Sequence, residues 1–210
     1  MTTVTMLTEL QTPHGPAKAH LHCADAARGA LVLGHGAGGG VGAPDLVAAT
    51  EAALGERFSV ALVEQPYRAA GRSSSPPAHQ LDAAWIAVCE QLAAGEFHGL
   101  PLVTGGRSAG ARVACRTAAD VGAAAVLCLA FPLQPPARKG KPPAPDRLPE
   151  LEAVKVPVLV VQGERDRFGI PPPGKRREVV QVNGDHSLRS DPQAVADATR
   201  GWLPRAVGAR

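Results

Sequence analysis

Aromatic side chains are scarce: Phe, Trp and Tyr make up 3% of the 210 residues, so the core must be built from aliphatic side chains and alanine. The basic residues have no aromatic partners interleaved among them. Arg138-Lys139-Gly140-Lys141 and Lys175-Arg176-Arg177 are short groups in a chain of net charge +3, which reads as solvated loops and not as a nucleic-acid surface. Long apolar runs are missing too: none approaches the ~20 residues needed to span a bilayer, so no membrane role is expected. The first ten residues hold no basic region followed by an apolar block, which makes a cytoplasmic location the expectation. The four cysteines, Cys23, Cys89, Cys115 and Cys128, show no C-x-x-C spacing, and three fall within apolar patterns. Buried reduced thiols are expected, with no disulfide or metal site.

A chain of this length is expected to form one domain, residues 1–210, burying roughly 70% of its unfolded surface. Thr3 to Leu10 and Ala17 to Cys23 alternate around Pro13-His14-Gly15-Pro16, which predicts two antiparallel strands joined by a turn. His20 and His22 share one face there, with no third metal ligand nearby, so a surface or edge-strand role is expected. From Ala30 onward, apolar strands alternate with helical patterns. Strands are predicted near Ala30 to Leu33, Ser59 to Val63, Leu100 to Thr104, Ala124 to Leu129, Val156 to Val161 and Glu178 to Val182. Helices are predicted near Pro44 to Leu54, Leu81 to Ala94, Ala109 to Asp120 and Pro192 to Trp202, with core stripes Leu81, Trp85, Val88, Leu92 and Val195, Ala198, Trp202. This is the pattern of an α/β protein with a mostly parallel sheet covered on both faces. Between Leu129 and Val156 the segment Phe131 to Asp146 is too rich in proline for a helix and reads as a long loop or small lid.

The stretch Leu102 to Asp120 reads as strand, sharp turn and helix, with Ser108 at the corner. Gly106-Arg107-Ser108-Ala109-Gly110 fits G-x-S-x-G, a strained turn that exposes a serine hydroxyl while its glycines let strand and helix cross. A second glycine-rich stretch, Gly34-His35-Gly36-Ala37-Gly38-Gly39-Gly40, admits two readings. Gly34, Gly36 and Gly39 satisfy G-x-G-x-x-G and Glu64 closes the next strand, as in a dinucleotide site. Alternatively, His35, Gly36 and Gly38 support a loop whose Ala37 N–H, with that of Ala109, forms an oxyanion hole beside Ser108. The second reading uses both motifs, whereas two strands precede the first and Ser108 would go unexplained.

A serine hydroxyl needs a general base, and the base needs an acid that fixes its tautomer. His186 is the only histidine after Ser108, and Asp166 leaves a strand at its carboxyl end, with Glu164 as the competing acid. Asp185 adjoins His186 and is expected to shape its loop. The order Ser108, Asp166, His186 predicts a serine hydrolase acting on a small ester, thioester or related acyl substrate. Arg68 and Arg72 are a candidate pair for carboxylate-bearing substrates, and the scarcity of aromatics predicts a shallow site for short acyl groups.

On these residues the chain resembles an α/β-hydrolase, and in particular its small, nearly capless, dienelactone-hydrolase-related branch typified by testis-expressed protein 30 and the KAT8 regulatory complex subunit 3 domain. The motifs that carry the resemblance are His35 to Gly39, Gly105 to Ser108, Phe131 to Pro136, Gln162 to Gly169 and Gly184 to Ser187. Ala109 stands where the branch has methionine, and Arg167 stands where it has proline, which bears on the loop carrying Asp166. The resemblance implies an eight-stranded sheet whose second strand is antiparallel, and hydrolysis without a cofactor. It implies no particular substrate or oligomeric state, and some relatives are non-catalytic binding subunits, which gives the alternative function.

Overall fold

The computed structural model describes residues 4–135, 140, 142 and 144–208. Arg138, Lys139 and Lys141 of the first basic group lie outside the described residues. Eight strands form one sheet: β1 (Val4–Leu10), β2 (Ala17–Cys23), β3 (Gly29–Gly34), β4 (Phe58–Glu64), β5 (Leu102–Arg107), β6 (Ala125–Leu129), β7 (Val158–Gly163) and β8 (Arg177–Val182). Their order is β1-β2-β4-β3-β5-β6-β7-β8, with β2 antiparallel to both of its neighbours and every pair from β4 to β8 parallel. The helices are α1 (Pro44–Gly55), α2 (Pro66–Ala69), α3 (Ala78–Ala94), α4 (Ala109–Thr117), α5 (Leu148–Glu152) and α6 (Pro192–Gly208).

Both faces of the central strands are buried, and alternate residues serve different helices. Leu31 and Leu33 of β3 join the cluster with α1 and α6, while Ala30 and Val32 join Trp85, Val88 and Leu92 of α3 on the opposite face. A further cluster packs Ala111, Ala114 and Cys115 of α4 and Leu151 of α5 against β6 and β7. Cys89, Cys115 and Cys128 are buried free thiols and Cys23 is half-buried. Burial pushes the Cys89 thiol up, and in Cys128 the neighbouring Cys115 and burial act the same way. No helix among the described residues is long and apolar enough to cross a membrane.

Two sequence expectations are corrected. β5 continues past Thr104, because Gly105, Gly106 and Arg107 pair with Leu127, Cys128 and Leu129. A side chain at Gly105 would come within 2.3 Å of the Leu127 carbonyl oxygen, so these glycines serve close strand packing and the turn comes one step later. Helix α6 runs through Pro204 to Gly208, and the side chain of Arg205 donates to the Gly201 carbonyl near the interruption. His20 and His22 are partly exposed on β2, one strand in from the edge, and His20 Nε2 meets Glu64 Oε1 at 2.6 Å. The single-turn helix α5 follows the proline-rich segment and is too short to show helical periodicity.

Trp85 is fully buried, and its ring reaches the backbone of Gly34 at the end of β3. Trp85→Ala is expected to lower stability by roughly 3–5 kcal/mol in urea denaturation. Leu7→Ala, at a site 61% exposed on the edge strand, is expected to stay within about 0.5 kcal/mol.

Candidate active site

The sharp turn between β5 and α4 is dictated by three glycines. A Cβ at Gly106 or at Gly110 would sit 2.4 Å from the Gly34 carbonyl oxygen, so the ends of β3 and β5 and the start of α4 touch through bare backbone. Ser108 occupies the corner with φ 53° and ψ −107°, a conformation L side chains rarely adopt, and its N–H donates to Leu129 O at 2.9 Å. This lifts the hydroxyl clear of the strand and sets it above the N-terminus of α4.

His186 arrives from the loop after β8. Its Nε2 stands 2.9 Å from Ser108 Oγ, and its Nδ1 stands 2.8 Å from Asp166 Oδ2. An ionised carboxylate only accepts, so Nδ1–H donates to Asp166 and Nε2 is left to accept from the serine hydroxyl. Asp166 follows β7 and is buried, while Glu164 is exposed. Its carboxylate is held at both oxygens: Phe168 N–H donates to Oδ1 at 2.9 Å, and Gln162 Nε2 donates to Oδ2 at 2.7 Å. The same Gln162 nitrogen faces Phe131 O and Gly169 O, and three acceptors around one end identify it as the amide nitrogen. Asp185 caps its own loop instead, accepting from the N–H and hydroxyl of Ser187, which hold its carboxyl below the usual value. Arg167 is exposed, its guanidinium 5.0 Å from the Phe168 ring centre, and Phe168 in turn lies 4.3 Å from the His186 ring centre.

The glycine-rich loop after β3 wraps around this corner. His35 is buried, and its Nε2 accepts from Gln65 N–H at 3.1 Å, so Nδ1–H donates to the Gly36 carbonyl at 2.8 Å. Burial lowers its pKa, keeping the imidazole neutral. Tyr67 Oη donates to Ala37 O at 3.1 Å, pinning the next residue. A Cβ at Gly36 would lie 3.0 Å from Arg107 Nη1 and 3.6 Å from Ser108 Cβ, whereas one at Gly38 would meet nothing within 4 Å. Glu64, the acid of the dinucleotide reading, is engaged by His20. Ala37, Ser108 and Ala109 line one open cleft of about 490 Å³ that also touches Pro132 and Phe168. Arg72 lines a different pocket of about 210 Å³, and Arg68 Nη1 is directed at the Arg72 carbonyl. Among the described residues, no cluster of three or more metal-ligating side chains occurs.

Sequence reasoning assigned no role to Gln162, although its motif was recognised, and it missed the pair beneath the corner. Arg107 Nη2 donates to the His186 carbonyl at 3.1 Å, and Arg107 Nε stands 3.0 Å from Oδ2 of the fully buried Asp45. That approach lacks hydrogen-bond alignment, so it is an ion pair held by charge alone. Arg107 sits inside the recognised G-x-S-x-G, but only the fold brings Asp45 of α1 beneath it.

The family comparison agrees with the fold. Residues 27–201 match a family model described as an alpha/beta hydrolase domain. The chain belongs to this family. Among solved structures it is similar to an a/b serine hydrolase without lid from Xanthomonas campestris, at TM-score 0.73 and 19% identity, covering 97% of each chain. It is also similar to a dienelactone hydrolase from Anabaena variabilis, at TM-score 0.77 and 16% identity, covering 98% of this chain and 99% of that one. An esterase domain from Rhodothermus marinus gives TM-score 0.71 and 14% identity over 98% and 99%. At these identities the likeness is one of fold. No curated protein matches the sequence.

Burial pushes the Asp45 carboxyl from 3.8 up to about 6 against the pull of Arg107. Because the folded value lies above the unfolded one, the stability tied to this group is complete below about pH 4 and falls away as pH rises through about 6. Asp45→Asn does not titrate there. The stability of the wild type minus that of the variant is expected to drop by on the order of 3 kcal/mol between about pH 4 and about pH 7, followed by urea denaturation. A difference that grows with pH would show that Arg107 outweighs burial.

Proposed function

We propose that this hydrolase-fold protein is a serine hydrolase of small esters, thioesters or related acyl compounds. The observation that carries this reading is the unbroken hydrogen-bonded line from Ser108 Oγ through His186 to Asp166 Oδ2. Ser108 Oγ attacks the acyl carbonyl carbon as its proton passes to His186 Nε2, and the imidazolium formed is stabilised by Asp166. The C–O or C–S bond to the leaving group then breaks, His186 returns the proton to it, and an acyl-serine remains. Water attacks that ester, again giving its proton to His186, and the acid is released as Ser108 is restored.

The developing oxyanion is held by the N–H groups of Ala37 and Ala109. Ala109 is the first residue of α4, so its N–H has no partner within the helix. The Ala37 N–H takes no part in the loop hydrogen bonds among the described residues. His35, Gly36 and Tyr67 keep that loop in place, and the motif resemblance to the small capless branch supports the same assignment. The cleft is open, and its lining holds Leu81 and Phe168 but no further large apolar side chain, which favours short acyl groups.

A fluorophosphonate probe is expected to label the wild type and leave Ser108→Ala unlabelled, and turnover of a short ester should fall by roughly three to six powers of ten in that variant. Equal labelling of both proteins would refute the assignment of Ser108. Absence of turnover with every ester, thioester and amide would favour a non-catalytic binding role. Across acyl chains from acetyl to dodecanoyl, kcat/KM is expected to peak among the short chains. A steady rise to dodecanoyl, worth about 0.8 kcal/mol per buried CH₂, would refute the shallow site.

A further inference from the structure

Resting on the serine-hydrolase reading, we infer that the substrate's acyl portion carries a carboxylate, which Arg147 recognises from the wall of the cleft that Ser108 also lines. The cleft that contains Ser108 is lined by three guanidinium groups, those of Arg112, Arg116 and Arg147. Two of them are neutralised. Arg112 forms a fork with Glu150, through Nε at 2.9 Å and Nη2 at 2.5 Å, and Arg116 forms one with Asp82, through Nε at 2.8 Å and Nη2 at 2.6 Å. Arg116 Nη1 also stands 3.5 Å from Glu150, so Glu150 is shared by both arginines while Asp82 serves Arg116 alone.

Arg147 has no carboxylate within ion-pair distance among the described residues. Three cations against two anions leave one positive charge in the wall of the cleft. Its Nη1 donates to the Pro132 carbonyl at 2.8 Å, which orients the guanidinium and leaves most of its five N–H groups available. Burial and the neighbouring Arg112 push its pKa down, Glu150 acts against them and Arg116 adds to them, yet a guanidinium stays charged near neutrality. Two cations side by side in a half-buried wall cost free energy that a third carboxylate would offset. A planar fork of N–H donors matches a carboxylate, and Arg147 is half-buried in the wall of the cleft that Ser108 also lines. The carboxylate therefore orients the acyl carbonyl toward Ser108 as well as adding affinity.

Ethyl hydrogen succinate and its neutral isostere ethyl succinamate differ in charge and hardly in size, so the ratio of their kcat/KM values isolates this contact. The wild type is expected to favour the anion by roughly 10-fold to 100-fold, the range of a hydrogen-bonded charge pair. Arg147→Gln is expected to bring the ratio close to one, and Arg147→Lys, which keeps the charge without the fork, to give an intermediate ratio. Should Arg147→Gln fail to fold, the ratio in Arg147→Lys decides, and it must fall below that of the wild type. Equal rates for the two esters in the wild type, or a ratio unmoved in the variants, would overturn this inference and leave the hydrolase reading standing. No hydrolysis of either ester or of neutral short-chain esters would overturn both.

Discussion

Everything at the candidate site hangs on a contact between bare backbones. At Gly34, Gly106 and Gly110 the ends of two neighbouring strands and the start of α4 come so close that a single methyl group would collide with a carbonyl oxygen. That contact forces the chain to turn within one residue, and Ser108 is the residue that takes the unfavourable backbone angles. The conformation persists because the sheet on one side and Trp85 and α3 on the other leave the corner no room to relax. Precision at the hydroxyl is thus a consequence of packing far larger than the site.

Electrostatics around the corner are arranged in two tiers. Below it, the buried Asp45 and Arg107 tie α1 to the backbone of His186, although burial disfavours the carboxylate they depend on. This costly pair adds one more tie to the His186 loop, which is also held through the His186 side chain at Asp166 and through the Arg165 N–H at the Gly184 carbonyl. Above it, the cleft wall carries the guanidinium of Arg147 without a carboxylate partner among the described residues, and His186 is aimed by Asp166.

Periodicity alone placed the strands, since runs such as Leu31 to Leu33, Val60 to Val63 and Val158 to Val161 are apolar on both faces and allow little but the centre of a parallel sheet. It failed where local rules were overridden by neighbours. The glycines at 105 and 106 look like a turn but serve as strand, because Leu127 approaches the first and Gly34 the second too closely for a side chain. Pro204 looks like a stop, but α6 continues across it. Helices α2 and α5 are one turn or little more, and no period is legible in four or five residues.

The sequence by itself determined the types and order of Ser108, Asp166 and His186 and the glycines at the corner, because these are requirements of local backbone geometry and of chemistry that only a few side chains perform. Only the tertiary structure distinguishes the surroundings of Asp166 and Glu164, burying one against Gln162 and His186 and leaving the other in solvent. It alone brought Asp45 under Arg107 and gathered Arg112, Arg116 and Arg147 into one cleft while turning Arg72 to another. Those pairings join residues far apart in the chain, and charge acts through space, so their partners are set by how the helices pack on the sheet and leave no periodic trace in the sequence.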